Sequence, residues 1–170
     1  MVVADLHVHT TNSDGTLELA EVPAAAEAAD VRVVAITDHD RLHPDLSTPV
    51  AHVEGVTVVH GIELRVNAGD QQVDLLGYAV RPTDALTAEL ERIQSNRVER
   101  ARAIVECVEE REGVSLDVAF RPGVGRPHIA RAIAASDAPY DVDGAFAHVI
   151  GDDCPCYVAR EIPDFDRGIE

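Results

Sequence analysis

The chain has 170 residues and a formal net charge of −17, and all 14 of its basic residues are arginine. This length suggests one domain, and the 46 % hydrophobic content is enough for a packed core. The acidic excess argues against a broad basic surface for nucleic acid. Together with the absence of lysine, it is typical of a halophilic protein, which works in concentrated salt where charge repulsion is screened.

The termini and the cysteines favour a cytoplasmic protein. No apolar run approaches the roughly 20 residues of a membrane span, and the N-terminus does not resemble a signal peptide. Cys107, Cys154 and Cys156 match neither the even set of a disulfide framework nor the paired Cys-x₂-Cys of a zinc ribbon. We expect them to be thiols in a reducing compartment, with no membrane partner.

His7 and His9 follow a short apolar run at residues 2–4, which predicts a buried strand. Two residues apart on an extended backbone, they leave the same face. Paired imidazoles at a strand end suit Zn²⁺, Mn²⁺ or Fe²⁺. Asp14-Gly15 is a turn sequence that can return a carboxylate toward the pair. The alternative is two solvated histidines in a polar loop.

Residues 16–37 complete a predicted βαβ unit. Helical spacing of apolar residues predicts a helix over 16–29 that Thr16 caps, and residues 31–37 form an apolar run typical of a buried parallel strand. The strand ends in Asp38-His39-Asp40. The carboxyl ends of such strands are where α/β barrels and open α/β sheets place their active sites.

The remaining elements are predicted from their apolar spacing and turn residues. A connection with a short helix near 45–52 leads to a strand at 56–64, with Glu63 near its end. A turn at 67–70 and a second strand at 72–80, which contains Asp74, form a hairpin with it. We then expect a long amphipathic helix at 83–111, short helices at 127–135 and 142–150, an extended piece at 156–158, and a helix beginning within 163–169.

Four predicted strand ends therefore carry potential metal ligands. Singly, Asp38 or Asp40 could cap a turn, and Glu63 or Asp74 could face solvent. Their common position at one rim of a sheet instead indicates a metal site, because mixed imidazole and carboxylate ligands bind several divalent ions. A bridging carboxylate such as Glu63 can join two ions, and paired ions can activate water to hydrolyse a phosphate ester.

Three motifs resemble the polymerase-and-histidinol-phosphatase (PHP) family: Asp5-Leu6-His7-Val8-His9 through Gly15, Ile36-Thr37-Asp38-His39-Asp40, and Gly61-Ile62-Glu63. Leu75-Leu76-Gly77-Tyr78 and Gly125-Arg126-Pro127-His128 resemble its nucleotide phosphatase and exoribonuclease branch. The resemblance covers essentially the whole chain. It implies a distorted (β/α)₇ barrel with a helical insertion and up to three metal ions, and a nucleoside phosphate or short oligonucleotide as substrate.

By position, the resemblance also implies roles for individual residues. The implied metal ligands are His7, His9, Asp14, His39, Glu63 and Asp74, with Glu63 as a bridge. Asp38 and Asp40 would orient these ligands. Arg126 and His128 would bind the substrate phosphate, although the same stretch could equally be a helix entry with Pro127 in the first turn.

Two departures from the family qualify this assignment. Its members in this branch usually have His where this chain has Asp74, and the added oxygen ligand would favour Mn²⁺ or Mg²⁺ over Zn²⁺. The family's later Ala-His-Pro strand end and final Asp-x-His pair have no counterpart. We therefore expect an α/β fold that is a partial PHP-type barrel: residues 1–112 form its N-terminal part, 113–160 the helical insertion, and 161–170 a truncated return.

The sequence favours a metal-dependent phosphoesterase that uses metal-activated water. The alternative is a truncated, inactive metal-binding remnant, or one half of a split PHP protein. A proofreading module of a polymerase is less favoured, because no polymerase segment accompanies the motifs. An open barrel edge would expose unpaired backbone groups, so we also expect marginal stability, a partner chain or self-association.

Overall fold

A mixed α/β fold with a five-stranded sheet is seen in the computed structural model, which describes residues 3–169. The strands are β1 (Ala4–Val8), β2 (Val33–Ile36), β3 (Val50–Val53), β4 (Val56–Ala68) and β5 (Gln71–Tyr78). The helices are α1 (Val22–Ala28), α2 (Asp84–Glu112), α3 (Arg126–Ala135), α4 (Val142–Ala145) and α5 (Phe165–Ile169). Two compact units divide the chain, residues 1–93 with 162–170 and residues 94–161.

The long strand β4 organises the sheet of the first unit. Its first half pairs in parallel with β2, which pairs in parallel with β1, and this confirms the predicted βαβ unit. Its second half pairs antiparallel with β5 through a tight turn, which confirms the predicted hairpin.

The N-terminal strand prediction was wrong in position. β1 begins at Ala4 and is mostly exposed, Val3 is 54 % exposed, and Val2 lies outside the described residues.

Two local predictions in this unit are corrected. Residues 50–53 form the edge strand β3, antiparallel to β4, rather than part of a helix. The predicted helix at 16–29 begins only at Val22, after a 3₁₀ turn at Leu19–Glu21, and Thr16 is not its cap. The Glu18 N–H instead donates to the Glu21 carboxylate, and Pro23 in the first turn fixes the helical backbone angle.

Apolar side chains of the first unit form two clusters. One packs α1 against β2 and β4, with Val22, Ile36 and Val58 almost fully buried. The other packs Leu64 and Val66 of β4 against the first turns of α2. Because side chains alternate along a strand, the neighbouring residues of β4, including Glu63, lie on the face opposite this second cluster.

The second unit contains most of α2 together with α3 and α4, and a π-helical turn at Phe146–Ile150 continues α4. Its core is built from buried aliphatic residues such as Ile104, Ile129 and Val149. α2 and α3 begin and end within one residue of their predicted ranges. α4 and the π-helical turn that continues it together cover the predicted helix at 142–150. Residues 156–158 form no strand.

The cysteine prediction was wrong. Cys107 of α2 and Cys156 form a disulfide across 49 residues, with their Cα atoms 5.6 Å apart. Sequence spacing could not show this, because the pairing depends on how the segment that contains Cys156 folds back onto α2. Cys154 is not in the disulfide. Within residues 3–169, none of the helices has the length and apolar character needed to cross a bilayer.

Candidate metal centre

β1, β2 and β4 bring imidazoles and carboxylates together at one edge of the sheet. His7 lies in β1, His9 and His39 lie just beyond β1 and β2, and Glu63 lies inside β4. The Asp40 N–H donates to the Glu63 carbonyl (2.8 Å), and the Glu63 N–H donates to the Asp38 carbonyl (3.2 Å). This bridge extends the parallel pairing of β2 with β4 and sets His39 beside Glu63.

One carboxylate oxygen is the centre of the cluster. Oε2 of Glu63 lies 2.9 Å from Nε2 of His7, 2.8 Å from Nε2 of His9 and 3.2 Å from Nδ1 of His39. The Glu63 side chain is only 4 % exposed. Burial acts to raise the pKa of Glu63, but hydrogen bonds from His9 and His7 outweigh it and lower the pKa to about 2. Glu63 is therefore an ionised carboxylate in a buried setting.

Asp14 joins the same cluster from the loop after β1. Its Oδ1 lies 3.0 Å from Nδ1 of His9, and its Oδ2 lies 3.6 Å from Nε2 of His39. Hydrogen bonds to Asp14 and Glu63 raise the pKa of His9 to about 10 against the effect of burial. A Cβ on Gly15 would lie 2.2 Å from the His9 carbonyl oxygen, so only glycine allows the turn that returns Asp14.

The donor atoms form two groups that could each hold a divalent ion. His7, His9 and Glu63 form one, His9, Asp14 and His39 form the other, and within each the ligand atoms lie within 4.8 Å of one another. Imidazole nitrogens and carboxylate oxygens are the donors that Zn²⁺, Mn²⁺ and Fe²⁺ accept, so the residues fit such an ion. Since His9 belongs to both groups, one ring nitrogen can bind metal while the other donates to a carboxylate.

Asp38 positions the loop that carries the ligands. It is fully buried and accepts hydrogen bonds from the Thr10 N–H (2.8 Å), the Thr10 hydroxyl (2.8 Å), the Ser13 hydroxyl (2.7 Å) and the Asn12 amide (3.2 Å). The sequence did not identify Thr10, Asn12 and Ser13 as partners, although they lie within its first motif. Asp40 is also buried, in a left-handed conformation (φ 54°) that Asp tolerates.

Asp74 lies in neither group of candidate ligands among the described residues. It stands directly opposite Arg65 in the β4–β5 pairing, and Nε of Arg65 donates to Oδ1 of Asp74 at 2.6 Å. The hydrogen bond to Asp74, together with the negative charge of that carboxylate, raises the pKa of Arg65. The sequence could not predict the pair, because it depends on the register of the hairpin. As a metal ligand, Asp74 would first have to leave Arg65.

Arg126 and His128 lie in the second unit, at the first turn of α3. Nη1 of Arg126 donates to Oδ1 of Asp152 at 2.7 Å and to the Ile150 carbonyl at 3.3 Å. The Gly125 N–H donates to Nδ1 of His128. Their predicted contact with a substrate phosphate stays a prediction.

The sequence pattern of the PHP domain matches residues 5–142, which include every predicted site residue from His7 to His128. The chain belongs to the PHP domain family. A PHP relative, the 3′,5′-nucleoside bisphosphate phosphatase of Chromobacterium violaceum, is 31 % identical, and the match covers 95 % of this chain and 59 % of that protein. The 5′-3′ exoribonuclease of Haemophilus influenzae is 27 % identical over 98 % of this chain and 63 % of its own length.

Two solved structures share the fold. A candidate metal-dependent phosphoesterase from Bifidobacterium adolescentis superposes with a TM-score of 0.82 at 22 % identity, covering 99 % of this chain and 62 % of that one. An amidohydrolase from Chromobacterium violaceum, solved with sulfate and without metal, gives a TM-score of 0.76 at 26 % identity, covering 98 % and 61 %. This PHP chain therefore spans about three-fifths of the length of the relatives it matches.

The stability of the metal-free PHP chain is expected to depend on pH through His9 and Glu63. The stabilisation from protonated His9 is fully present below its ordinary pKa of 6.5 and is lost as pH rises through about 10. The stabilisation from ionised Glu63 is fully present above pH 4.5, its ordinary pKa, and is lost as pH falls through about 2. Urea denaturation should therefore give the highest unfolding free energy between pH 4.5 and 6.5.

His9→Ala is the control for this pH dependence. In this variant the unfolding free energy should fall less between pH 6.5 and 10 than it does in the wild type. An alkaline decline of the same size in wild type and variant would show that His9 does not cause it.

Proposed function

We propose that this chain is a metal-dependent phosphoesterase that acts on nucleoside phosphates or short oligonucleotides. The observation that supports this most directly is the convergence of His7, His9 and His39 on one oxygen of buried Glu63. The activities named for the two curated relatives, a nucleoside bisphosphate phosphatase and an exoribonuclease, agree with it.

In this proposal the two donor groups would hold divalent ions. Glu63 belongs to the first group, and its Oε2 lies 3.2 Å from Nδ1 of His39 in the second, in keeping with the bridging role that the resemblance implies. Bound ions would supply a Lewis acid and an activated water for phosphate ester hydrolysis. His7 and His9 would bind through the nitrogens that now face Glu63, and Asp14 and His39 would bind as ligands of the second group. Asp38 would act as a positioning residue, since its hydrogen bonds hold the loop between His9 and Asp14.

The finer assignments rest on the family resemblance. We propose that residues 1–112 form the N-terminal part of a (β/α)₇ barrel of the PHP type, that residues 113–160 are its helical insertion, and that residues 161–170 begin the return to the barrel. Mn²⁺, Zn²⁺, Fe²⁺ and Mg²⁺ remain candidate ions, and a third ion would need ligands beyond the two groups described. Arg126 and His128 are proposed to contact a substrate phosphate.

The test is release of inorganic phosphate from nucleoside mono- and bisphosphates in the presence of Mn²⁺. We expect turnover by the wild type and none by a His7→Ala/His9→Ala double variant, which removes two imidazoles from Glu63. Phosphate release by the wild type that does not exceed this control would contradict the proposal. Bound metal without turnover would instead support an inactive metal-binding remnant or one half of a split protein.

A further inference from the structure

Arg65 and Asp74 form an ion pair on the hairpin that carries Glu63. They stand directly opposite each other in the β4–β5 pairing, where Nε of Arg65 donates to Oδ1 of Asp74 and Nη2 of Arg65 donates to Oδ2. Two parallel hydrogen bonds of this kind fit the guanidinium fork to both carboxylate oxygens, which is the strongest form of such a pair. Each oxygen of Asp74 is therefore already bonded to a cation.

The pair lies on the same face of the hairpin as Glu63. Glu63 and Arg65 are two residues apart on β4, so their side chains leave the same face. Glu63 is paired with Leu76, two residues from Asp74 on β5, so Asp74 and Glu63 are diagonal neighbours across the hairpin. Arg65, which has the longest side chain of the three, adjoins both carboxylates.

Three carboxylates attract the guanidinium of Arg65. The hydrogen bond to Asp74 raises the pKa of Arg65 most, against the effect of burial. The negative charges of Asp74, Glu63 and Asp40 raise it further, in that order. Glu63 and Asp40 are buried, and a buried carboxylate without a positive partner is costly. On this face Arg65 is thus a cation that the chain itself supplies.

A divalent ion bound by Asp74 would compete directly with Arg65. It would need the oxygens that now accept hydrogen bonds from the guanidinium, and it would lie beside a positive charge. The two side chains are only 37 % and 30 % exposed, so water screens the repulsion incompletely. Among the described residues, both groups of candidate ligands are complete without Asp74. Arg65 and a further ion at this position therefore exclude each other.

We propose that Arg65, held by Asp74, takes the place of a further divalent ion beside Glu63 and so limits the number of ions that the chain binds. This assigns Asp74 a role different from that of the metal ligand that the resemblance implies. A guanidinium neutralises carboxylate charge but has no coordination position for water. Water activation is then left to the ions of the two donor groups, a consequence that rests on the proposed function.

The test counts the Mn²⁺ ions bound per chain at saturation, by equilibrium dialysis of the wild type and its variants. Arg65→Gln should bind one ion more than the wild type, because it frees both oxygens of Asp74 and removes the positive charge beside Glu63. Asp74→Asn should bind as many ions as the wild type. The double variant Arg65→Gln/Asp74→Asn should lose the additional ion, because the freed carboxylate is what holds it.

Arg92→Gln is the matched control for the loss of one positive charge. Arg92 forms a comparable ion pair with Glu89 at 2.8 Å, on the helix that packs against the face of β4 opposite Glu63. It should bind as many ions as the wild type. A gain of one ion in this control as well would show a general effect of net charge and would contradict the specific role of Arg65.

The two roles of Asp74 predict opposite results. If Asp74→Asn binds fewer ions than the wild type, or Arg65→Gln binds no more, Asp74 is not reserved for Arg65 and the proposal is wrong. An additional ion cannot be imitated by loss of folding, and should Arg65→Gln not fold, the count for Asp74→Asn still decides. A wild type without phosphate release contradicts the proposed function alone, since the ion counts do not depend on turnover.

Discussion

Glu63→Gln should lower both divalent-metal affinity and phosphate release by more than about 100-fold, the upper range for changes around a metal site. The neutral amide keeps the shape of the side chain but removes the negative charge on which His7, His9 and His39 converge. It also directs N–H donors toward imidazoles that need an acceptor or a metal. Titration with Mn²⁺ and phosphate release measure the two effects.

The matched control is Glu27→Gln, which makes the same chemical change on an exposed position of α1. It should change neither quantity. If Glu63→Gln bound Mn²⁺ and released phosphate within twofold of wild type, Glu63 would not be the central ligand, and the convergence of the imidazoles would have another purpose.

Asp38→Ala should lower the free energy of unfolding by about 3–5 kcal/mol, because it leaves several buried donors without their acceptor at about 1–3 kcal/mol each, non-additively. The loss should also reach the metal site. Thr10 and Ser13 anchor the loop between His9 and Asp14 to this carboxylate, so metal affinity should fall with stability. Urea denaturation and Mn²⁺ titration measure both changes.

Two further variants calibrate this expectation. Ser13→Ala removes one of the hydrogen bonds and should cost about 1 kcal/mol. Asp45→Ala removes an exposed carboxylate from the connection after β2 and should cost nothing measurable. An Asp38→Ala protein as stable as Ser13→Ala would mean that water replaces Asp38 as acceptor, and the loop would not depend on it.

Local chemistry was sufficient to predict the part of the site near the N-terminus. The spacing of His7 and His9 places both rings on one face, and the Asp14-Gly15 turn returns a carboxylate to them. The parallel strands that bring His39 beside Glu63 also followed from apolar runs and connection length. These features depend on a few neighbouring residues and on one common topology.

What the sequence could not predict depends on pairing between distant segments. Glu63 was expected near the end of a strand but lies in the middle of β4, because that strand continues to Ala68 as half of a hairpin. The same register places Asp74 against Arg65. The sequence did not show β3, because this edge strand forms by pairing with a single strand, β4. It did not show the Cys107–Cys156 disulfide, because the two cysteines lie far apart in sequence.

The position of Glu63 within a long strand has a consequence for ion selectivity. Its main chain is bonded to Asp38 and Asp40 on one side and paired with Leu76 on the other, so the backbone that carries the carboxylate is held from both sides. Calcium takes six to eight oxygen ligands in an adaptable shell. A carboxylate oxygen surrounded by ring nitrogens, with Asp74 bound to Arg65, offers fewer oxygen ligands than calcium takes, so this edge of the sheet should discriminate against calcium.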